Sequence, residues 1–88
     1  MYIQHKQEGE QGKFAYLDAE GKEIAVLSYY FVDGRTINAH HTYVPAAFRG
    51  QGLADGLYRA LRDFVREKDL KLIPSCSYIA AKWQREQA

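Results

Sequence analysis

The first half of the chain alternates apolar and polar residues in the manner of β-strands. Three segments are rich in β-branched and aromatic side chains: residues 13–18 (KFAYLD), 23–32 (EIAVLSYYFV) and 36–44 (TINAHHTYV). The segment AEGK at 19–22 and the pair Asp33-Gly34, a strong hairpin signal, supply the turns between them. Pro45 ends the third strand because proline has no N–H to donate to a sheet. The pattern predicts a three-stranded antiparallel meander.

The second half of the chain changes to a helical period. Apolar residues recur every three or four positions and form one stripe of a helix about four to five turns long: Leu53, Leu57, Leu61 and Phe64. Residues 70–74 (LKLIP) predict a short strand that returns parallel to the third strand through a right-handed crossover. Residues 78–86 predict a short terminal helix. The predicted order is β-β-β-α-β-α, an α+β fold in a single domain over residues 1–88.

Composition narrows the classes of function. A chain of 88 residues with 47% hydrophobic content can form one small core and is unlike a disordered segment. Its net charge of +1 does not favour nucleic acid as a partner. The charge is uneven, because residues 48–88 carry eight basic and five acidic side chains. A local anion-binding site fits this distribution better than a DNA-binding surface.

Cysteine content and the N-terminal sequence favour the cytoplasm. Cys76 is the single cysteine, which excludes internal disulfides and fits a reducing compartment. The segment MYIQHKQEGE lacks the apolar core of a signal peptide, and the chain has no apolar run of about 18 residues. We therefore expect a cytoplasmic protein with no membrane partner and no metal site, which is a monomer or a weak homodimer.

The stretch FRGQGLA, residues 48–54, stands where the third strand gives way to the helix. The first backbone N–H groups of a helix lack intrahelical partners, and the helix dipole adds about half a positive charge there. Gly50 and Gly52 carry no Cβ and let a ligand approach the backbone, while Arg49 adds a planar group of donors suited to phosphate. These properties predict a diphosphate-binding loop.

Three phosphate-binding motifs can be compared with this loop. A P-loop requires Gly-Lys-Ser/Thr, but Gly52 is followed by Leu53. A dinucleotide-binding fingerprint requires a third glycine where Asp55 stands, and it normally follows the first strand of a parallel unit. The remaining pattern, R/Q-x-x-G-x-G/A, is matched in full by Arg49, Gly52 and Ala54.

That third pattern resembles the pyrophosphate loop of GNAT-type N-acetyltransferases, which bind acetyl-coenzyme A (acetyl-CoA). The longer string HTYVPAAFRGQGLADGL, followed at residues 71–78 by KLIPSCSY, is similar to the smallest, minimal members of that family. The resemblance covers residues 13–80. It implies a truncated GNAT-like fold, acetyl-CoA as the acetyl donor and an amine as the acceptor.

The resemblance also implies a role for each matching position. The backbone of Tyr43 and Val44 would pair with the pantetheine arm, where the third strand splays from the fourth. The backbone amides of the loop would hold the pyrophosphate: Arg49, Gly50, Gln51, Gly52, Leu53 and Ala54. Cys76 would lie near the thioester sulfur, and His41 would face the acetyl group.

Acetyl transfer to an amine calls for a base and an oxyanion donor. An imidazole titrates near neutrality, which makes His41 the best-placed base. In a regular strand His41 shares its face with apolar side chains: Ile37, Ala39 and Tyr43. We therefore expect His41 to be partly desolvated and His40 to be wetter, although a β-bulge nearby would reverse this. A strand N–H near Tyr43 is the candidate oxyanion donor.

The departing thiolate takes up a proton, and two residues are candidate acids. Three roles stay open for Cys76: a nucleophile that forms an acetyl-cysteine, a proton donor to the thiolate, or a packing residue. Tyr78 is the second candidate acid. Direct attack by the amine in a ternary complex is the usual GNAT route, and it is the route we expect.

No residue identifies the acceptor. Larger GNAT enzymes carry helices between their first two strands that form part of the acceptor site, and AEGK leaves no room for them. The acceptor side is therefore expected to be open, either to a small amine or to a peptide or protein amine. The alternative function is a non-catalytic module that binds coenzyme A or acyl-CoA.

Overall fold

A computed structural model describes residues 1–87, which form a five-stranded mixed sheet with two helices. The elements follow one another in this order: β1 Tyr2–Glu8, β2 Gln11–Leu17, β3 Glu23–Asp33, β4 Thr36–Tyr43, a 3-10 turn Ala46–Phe48, α1 Leu53–Glu67, β5 Lys71–Pro74 and α2 Ser77–Gln87. The strands lie side by side in chain order, antiparallel from β1 to β4 and parallel between β4 and β5. The α+β fold class and the parallel return of the last strand are confirmed. Over residues 1–87, neither helix has the length and apolar character needed to cross a membrane.

The structure contains one strand that the sequence pattern did not predict. β1 is an edge strand paired with β2, so the meander has four strands, and the strand that returns parallel is the fifth. Its sequence is mostly polar, but the His5 ring stacks on Phe14 at 4.2 Å, and His5 Nε2 lies 2.6 Å from the Tyr29 hydroxyl oxygen. The first two strands are thus joined at Gly9 and Glu10 rather than by AEGK. This shorter turn likewise leaves no room for intervening helices.

Both helices pack on one face of the sheet. α1 buries an apolar stripe close to the predicted one: Leu53, Leu57, Tyr58, Leu61 and Val65. Ile79 is the one buried residue of α2 within the described chain. These side chains share a core with strand residues such as Leu27 and Ala39. The opposite face, which we call the outer face, carries Tyr30 and Tyr43, which are 40% and 51% exposed.

β4 and β5 separate after a short ladder. They pair from Thr36 with Lys71 to Ala39 with Pro74, and the Cys76 N–H then donates to the Ala39 carbonyl at 3.1 Å. β5 ends there because Pro74 has no N–H and the chain turns into α2, whereas β4 continues to Tyr43. The second half of β4 therefore has a free edge that faces the start of α2.

Candidate functional site

A β-bulge in β4 decides which face each side chain near its end occupies. Ser28 pairs with His41 whereas Tyr29 pairs with Ala39, so His40 is the extra residue. Beyond the bulge Thr42 pairs with Leu27, which is fully buried beneath the helices. Thr42 thus turns toward the helices, and its neighbour His41 turns to the outer face.

The expected burial of His41 is wrong for this reason. His41 is exposed, and so is His40, whose ring centroid lies 5.3 Å from that of Tyr30. In a regular strand His41 would face the helices and Thr42 the solvent, and the bulge exchanges these two faces. His41 remains next to the free edge of β4, but it approaches that edge from solvent and not from the apolar core.

The loop before α1 exposes backbone where a regular cap would cover it. Gly50 and Gly52 have φ angles of 85° and 79°, a left-handed conformation that glycine adopts without strain. A Cβ built at either position meets nothing within 4 Å. Gly52 is the N-cap of α1 and supplies no side-chain hydrogen bond. Among residues 1–87, no acceptor binds the backbone N–H groups of Leu53, Ala54 or Asp55.

A cleft of about 220 Å³ lies directly beside these amides. Residues from the loop, from the first turn of α1 and from α2 line it, among them Phe48, Gly50, Gly52, Ala54, Asp55 and Tyr78. Val44, Arg49 and Leu53 line it as well. The structure therefore gathers most of the residues that the sequence assigned to pyrophosphate around one cleft. Gln51 and Tyr43 are not among the lining residues, and both are exposed.

Arg49 is folded back on the strand that precedes the loop. Its Nε donates a hydrogen bond to the Val44 carbonyl at 3.2 Å. This bond ties the loop to the end of β4 and occupies an acceptor on the free edge. The remaining guanidinium N–H groups have no acceptor within residues 1–87 and stay available to a ligand.

Cys76 stands at the other side of the gap, as the N-cap of α2. Its carbonyl accepts the Ala80 N–H at 2.9 Å, and its Sγ lies 3.6 Å from Thr42 Oγ1. Burial raises the pKa of the Cys76 thiol, but hydrogen bonding to its thiolate form by the Ile79 backbone and the Thr42 side chain, with smaller contributions from the Tyr78 and Thr42 backbone, outweighs burial. The net result is a pKa below the ordinary value for a cysteine. A helix N-terminus has this effect on thiols in general.

An ion pair joins the two helices at the rim of the cleft. Asp55 Oδ1 accepts a hydrogen bond from Lys82 Nζ at 2.7 Å, and Asp55 Oδ2 lies 2.9 Å from Arg59 Nε. Lys82 Nζ also lies 5.6 Å from the centre of the Tyr78 ring. The Lys82 hydrogen bond lowers the pKa of Asp55, and the same bond raises the pKa of Lys82. Both groups are therefore charged at neutral pH.

The far end of α2 is fastened to α1 through Glu86. The Tyr58 hydroxyl donates to one carboxylate oxygen of Glu86, and Arg62 Nη1 lies 3.1 Å from the other. Burial is the main cause that raises the pKa of Tyr58, with Glu86 adding to it, so the phenol stays protonated as a donor. Together with Lys82 and Ile79, these contacts fix α2 and thereby the position of Cys76.

Known proteins resemble this chain in sequence and in fold. The family model for GCN5-related N-acetyltransferases matches residues 13–88. The chain belongs to this family. A GCN5-like candidate N-acetyltransferase from Staphylococcus aureus is 36% identical, with a TM-score of 0.69 over 94% of this chain and 79% of that one.

More distant structures share the fold alone. A GNAT family acetyltransferase from Elizabethkingia anophelis, solved with acetyl-CoA bound, is 16% identical, with a TM-score of 0.63 over 90% of this chain and 54% of that chain. Among curated proteins, Protein NATD1 of Xenopus tropicalis is 51% identical over 55 residues, which are 62% of this chain and 50% of that protein. The chain thus spans about half the length of the curated relatives it matches.

The sequence did not predict a place in this site for Thr42 or Lys82, and it marked Asp55 only as the residue that breaks the dinucleotide-binding fingerprint. Thr42 stands one residue from His41, and only the bulge shows that it faces Cys76. Lys82 lies in the terminal helix. The sequence predicted this helix but not which of its faces contacts α1. No group of three or more potential metal ligands occurs within residues 1–87.

Proposed function

We propose that this protein is an N-acetyltransferase that moves an acetyl group from acetyl-CoA to an amine by direct attack in a ternary complex. The observation that carries the proposal is the uncapped start of α1, where free amides face a cleft beside two glycines with positive φ. Such amides favour phosphate. The E. anophelis enzyme, which has the same fold, was solved with acetyl-CoA bound.

The cofactor is proposed to run from this cleft along the free edge of β4. The loop from Arg49 to Ala54 holds the pyrophosphate, and the backbone of Tyr43 and Val44 pairs with the pantetheine arm. The Val44 carbonyl is occupied by Arg49 Nε, so this pairing requires Arg49 to turn toward the phosphates. The guanidinium then exchanges a neutral acceptor for an anionic one, which forms the stronger hydrogen bond.

The thioester then reaches the gap between β4 and Cys76. A neutral amine attacks its carbonyl carbon from the outer face, because the helices cover the other face, and His41 takes the proton that the amine loses. The carbon–sulfur bond breaks, and the departing thiolate takes a proton from Cys76 or Tyr78. The lowered pKa of the Cys76 thiol favours proton transfer from it to the departing thiolate.

Adjacent histidines provide a matched test of turnover. We expect His41→Ala to lower kcat by about a hundredfold with little change in the Kd for acetyl-CoA, since a general base acts in the transition state. His40→Ala removes a neighbouring exposed imidazole and should leave kcat within a fewfold. Thiol release with a panel of amines measures the rate, and calorimetry measures affinity. Equal rates for both variants would remove His41 from the mechanism.

A second function is supported by the setting of His41. Its ring is exposed and has no hydrogen-bond partner within residues 1–87, whereas the base of a catalytic triad is oriented by a third group. A module that binds acyl-CoA without turnover needs no such orientation. Tight binding of acetyl-CoA with no thiol release for any amine would favour this alternative, and absence of binding would contradict both functions.

A further inference from the structure

The Asp55–Lys82 pair lies beside the proposed phosphate site but is not explained by it. Asp55 is the third residue of α1 and lines the cleft, so its carboxylate stands close to the amides that would hold phosphate. A negative charge there opposes a second anion. Lys82 approaches from α2, and its Nζ is close to two residues that line the cleft, Asp55 and Tyr78. An ammonium group therefore stands at the rim of the anion site.

Lys82 can leave Asp55 without stranding that carboxylate. The two oxygens of Asp55 have different partners, since Lys82 binds Oδ1 and Arg59 binds Oδ2 from one turn along the same helix. When Lys82 moves, Asp55 keeps Arg59 as its counter-ion. Both Lys82 and Asp55 are about 30% exposed, with values of 29% and 31%, so neither charge becomes buried and unpaired by the exchange.

We propose that Lys82 rests on Asp55 in the free protein and transfers to the linked phosphates of acetyl-CoA when the cofactor enters the cleft. The inference rests on the proposed function and adds a cofactor ligand from α2 to the backbone amides of α1. We expect the linked phosphates to bind the Lys82 ammonium more strongly than the Asp55 carboxylate does, because they offer several anionic oxygens to it. The transfer also links cofactor binding to the helix that carries Tyr78 and follows Cys76.

Affinity measurements on matched variants test this assignment. Calorimetry with acetyl-CoA is expected to show that Lys82→Gln raises Kd about tenfold and that Lys82→Arg restores most of the affinity. Arg85→Gln is the control, because it removes the same charge from an exposed residue of α2 that does not line the cleft. It should change Kd by less than about threefold. Acetyl-3′-dephospho-CoA should show the same tenfold loss in Lys82→Gln, since the proposed contact is with the linked phosphates.

A variant of Asp55 separates a phosphate contact from a structural role. Asp55→Asn breaks the same tie between the helices, so a purely structural role for Lys82 predicts weaker binding in both variants. The phosphate contact predicts the opposite sign: Asp55→Asn frees Lys82 and lowers Kd. That gain should shrink in the double variant Asp55→Asn/Lys82→Gln, because the freed ammonium is then missing. Thermal unfolding of each free variant confirms that it is folded.

The outcomes distinguish this inference from the function on which it rests. Failure of the wild-type protein to bind acetyl-CoA overturns both. Wild-type binding with equal effects of Lys82→Gln and Arg85→Gln overturns the Lys82 contact and leaves the proposed function intact. A loss confined to acetyl-CoA and absent for its 3′-dephospho form also overturns it, because the lysine would then meet the 3′-phosphate. The inference is supported if Lys82→Gln lowers the affinity for both ligands about tenfold and Asp55→Asn raises the affinity.

Discussion

The two helices begin near the same end of β4, yet their first amides are used in different ways. At α1 the N-cap is Gly52, which provides no side-chain acceptor, and the amides face an open cleft. At α2 the N-cap is Cys76, whose carbonyl accepts the Ala80 N–H. The backbone of Ile79 and Tyr78 helps to lower the pKa of the Cys76 thiol. One helix start is left free for a ligand from outside the protein. The other is occupied by the protein's own thiol and lowers the pKa of that thiol.

The difference follows from a few residues in each connection. The chain enters α1 through two glycines with positive φ, and neither glycine carries a Cβ. It enters α2 directly from Pro74, with two residues between strand and helix, and Cys76 is the last of them. Under the proposed function, the same kind of helix dipole would serve cofactor binding at one helix and acid–base chemistry at the other.

The largest expected effect comes from releasing α2. Ile79 is fully buried, and Ile79→Ala should reduce the free energy of unfolding by about 2 to 5 kcal/mol. Loosening α2 also withdraws the amides from Cys76, so the thiol should react with alkylating agents at higher pH than in the wild type. Urea unfolding and the pH profile of alkylation measure the two effects.

Ile73→Ala is the matched control for that variant. Ile73 is 42% exposed on β5, so the same change in side chain removes less buried surface and should cost clearly less stability than Ile79→Ala. If Ile79→Ala lost stability but kept the wild-type alkylation profile, the lowered pKa of Cys76 would not depend on the start of α2.

A smaller effect is expected from the strand side of the gap. Thr42→Val removes the hydroxyl bond to Cys76 Sγ and keeps the side-chain shape and the backbone amide, so the thiol pKa should rise part of the way to its ordinary value. Alkylation should then start at higher pH. Because the pKa in the folded protein lies below the unfolded value, the thiolate adds stability above the unfolded pKa, and that gain disappears as pH falls through the folded pKa. Because Thr42→Val raises the pKa in the folded protein, the range of pH between the folded and unfolded pKa values, over which this gain changes, becomes smaller.

Thr36→Val, at the opposite end of β4, provides the control and should leave the profile unchanged. An identical alkylation profile for Thr42→Val and the wild type would show that the Thr42 hydroxyl does not act on the thiol. The side chain would then be a packing residue at the edge of the core.

Most of the fold could be predicted because its pattern is local. The long strand β3 and the stripe of α1 follow directly from the period of their apolar residues. β1 could not be recognised because an edge strand needs few apolar residues. Its inward contacts come from Ile3 and from His5, which a pattern of apolar residues counts as polar.

The part of the site that could be predicted from the sequence is the part formed by backbone groups. The glycines and the uncapped helix start follow from FRGQGLA, because the residue types themselves dictate an open turn. The facing of His41 and Thr42 was not predictable. It depends on an extra residue in the pairing of β4 with β3, and the alternation along β4 alone gives no sign of it. The Asp55–Lys82 pair depends in the same way on how α2 lies against α1.

The central claim is that the start of α1 holds the cofactor's phosphates, and two glycines of like geometry test it most directly. Gly52 and Gly21 have φ angles of 79° and 80°, and a Cβ at either meets nothing within 4 Å, so an aspartate should strain both backbones by a similar amount, about 1 to 2 kcal/mol. Only Gly52 lies at the cleft. At 100 times Kd, acetyl-CoA should stabilise the wild type and Gly21→Asp by about 2.7 kcal/mol and should not stabilise Gly52→Asp. An undiminished stabilisation of Gly52→Asp by acetyl-CoA would contradict the account.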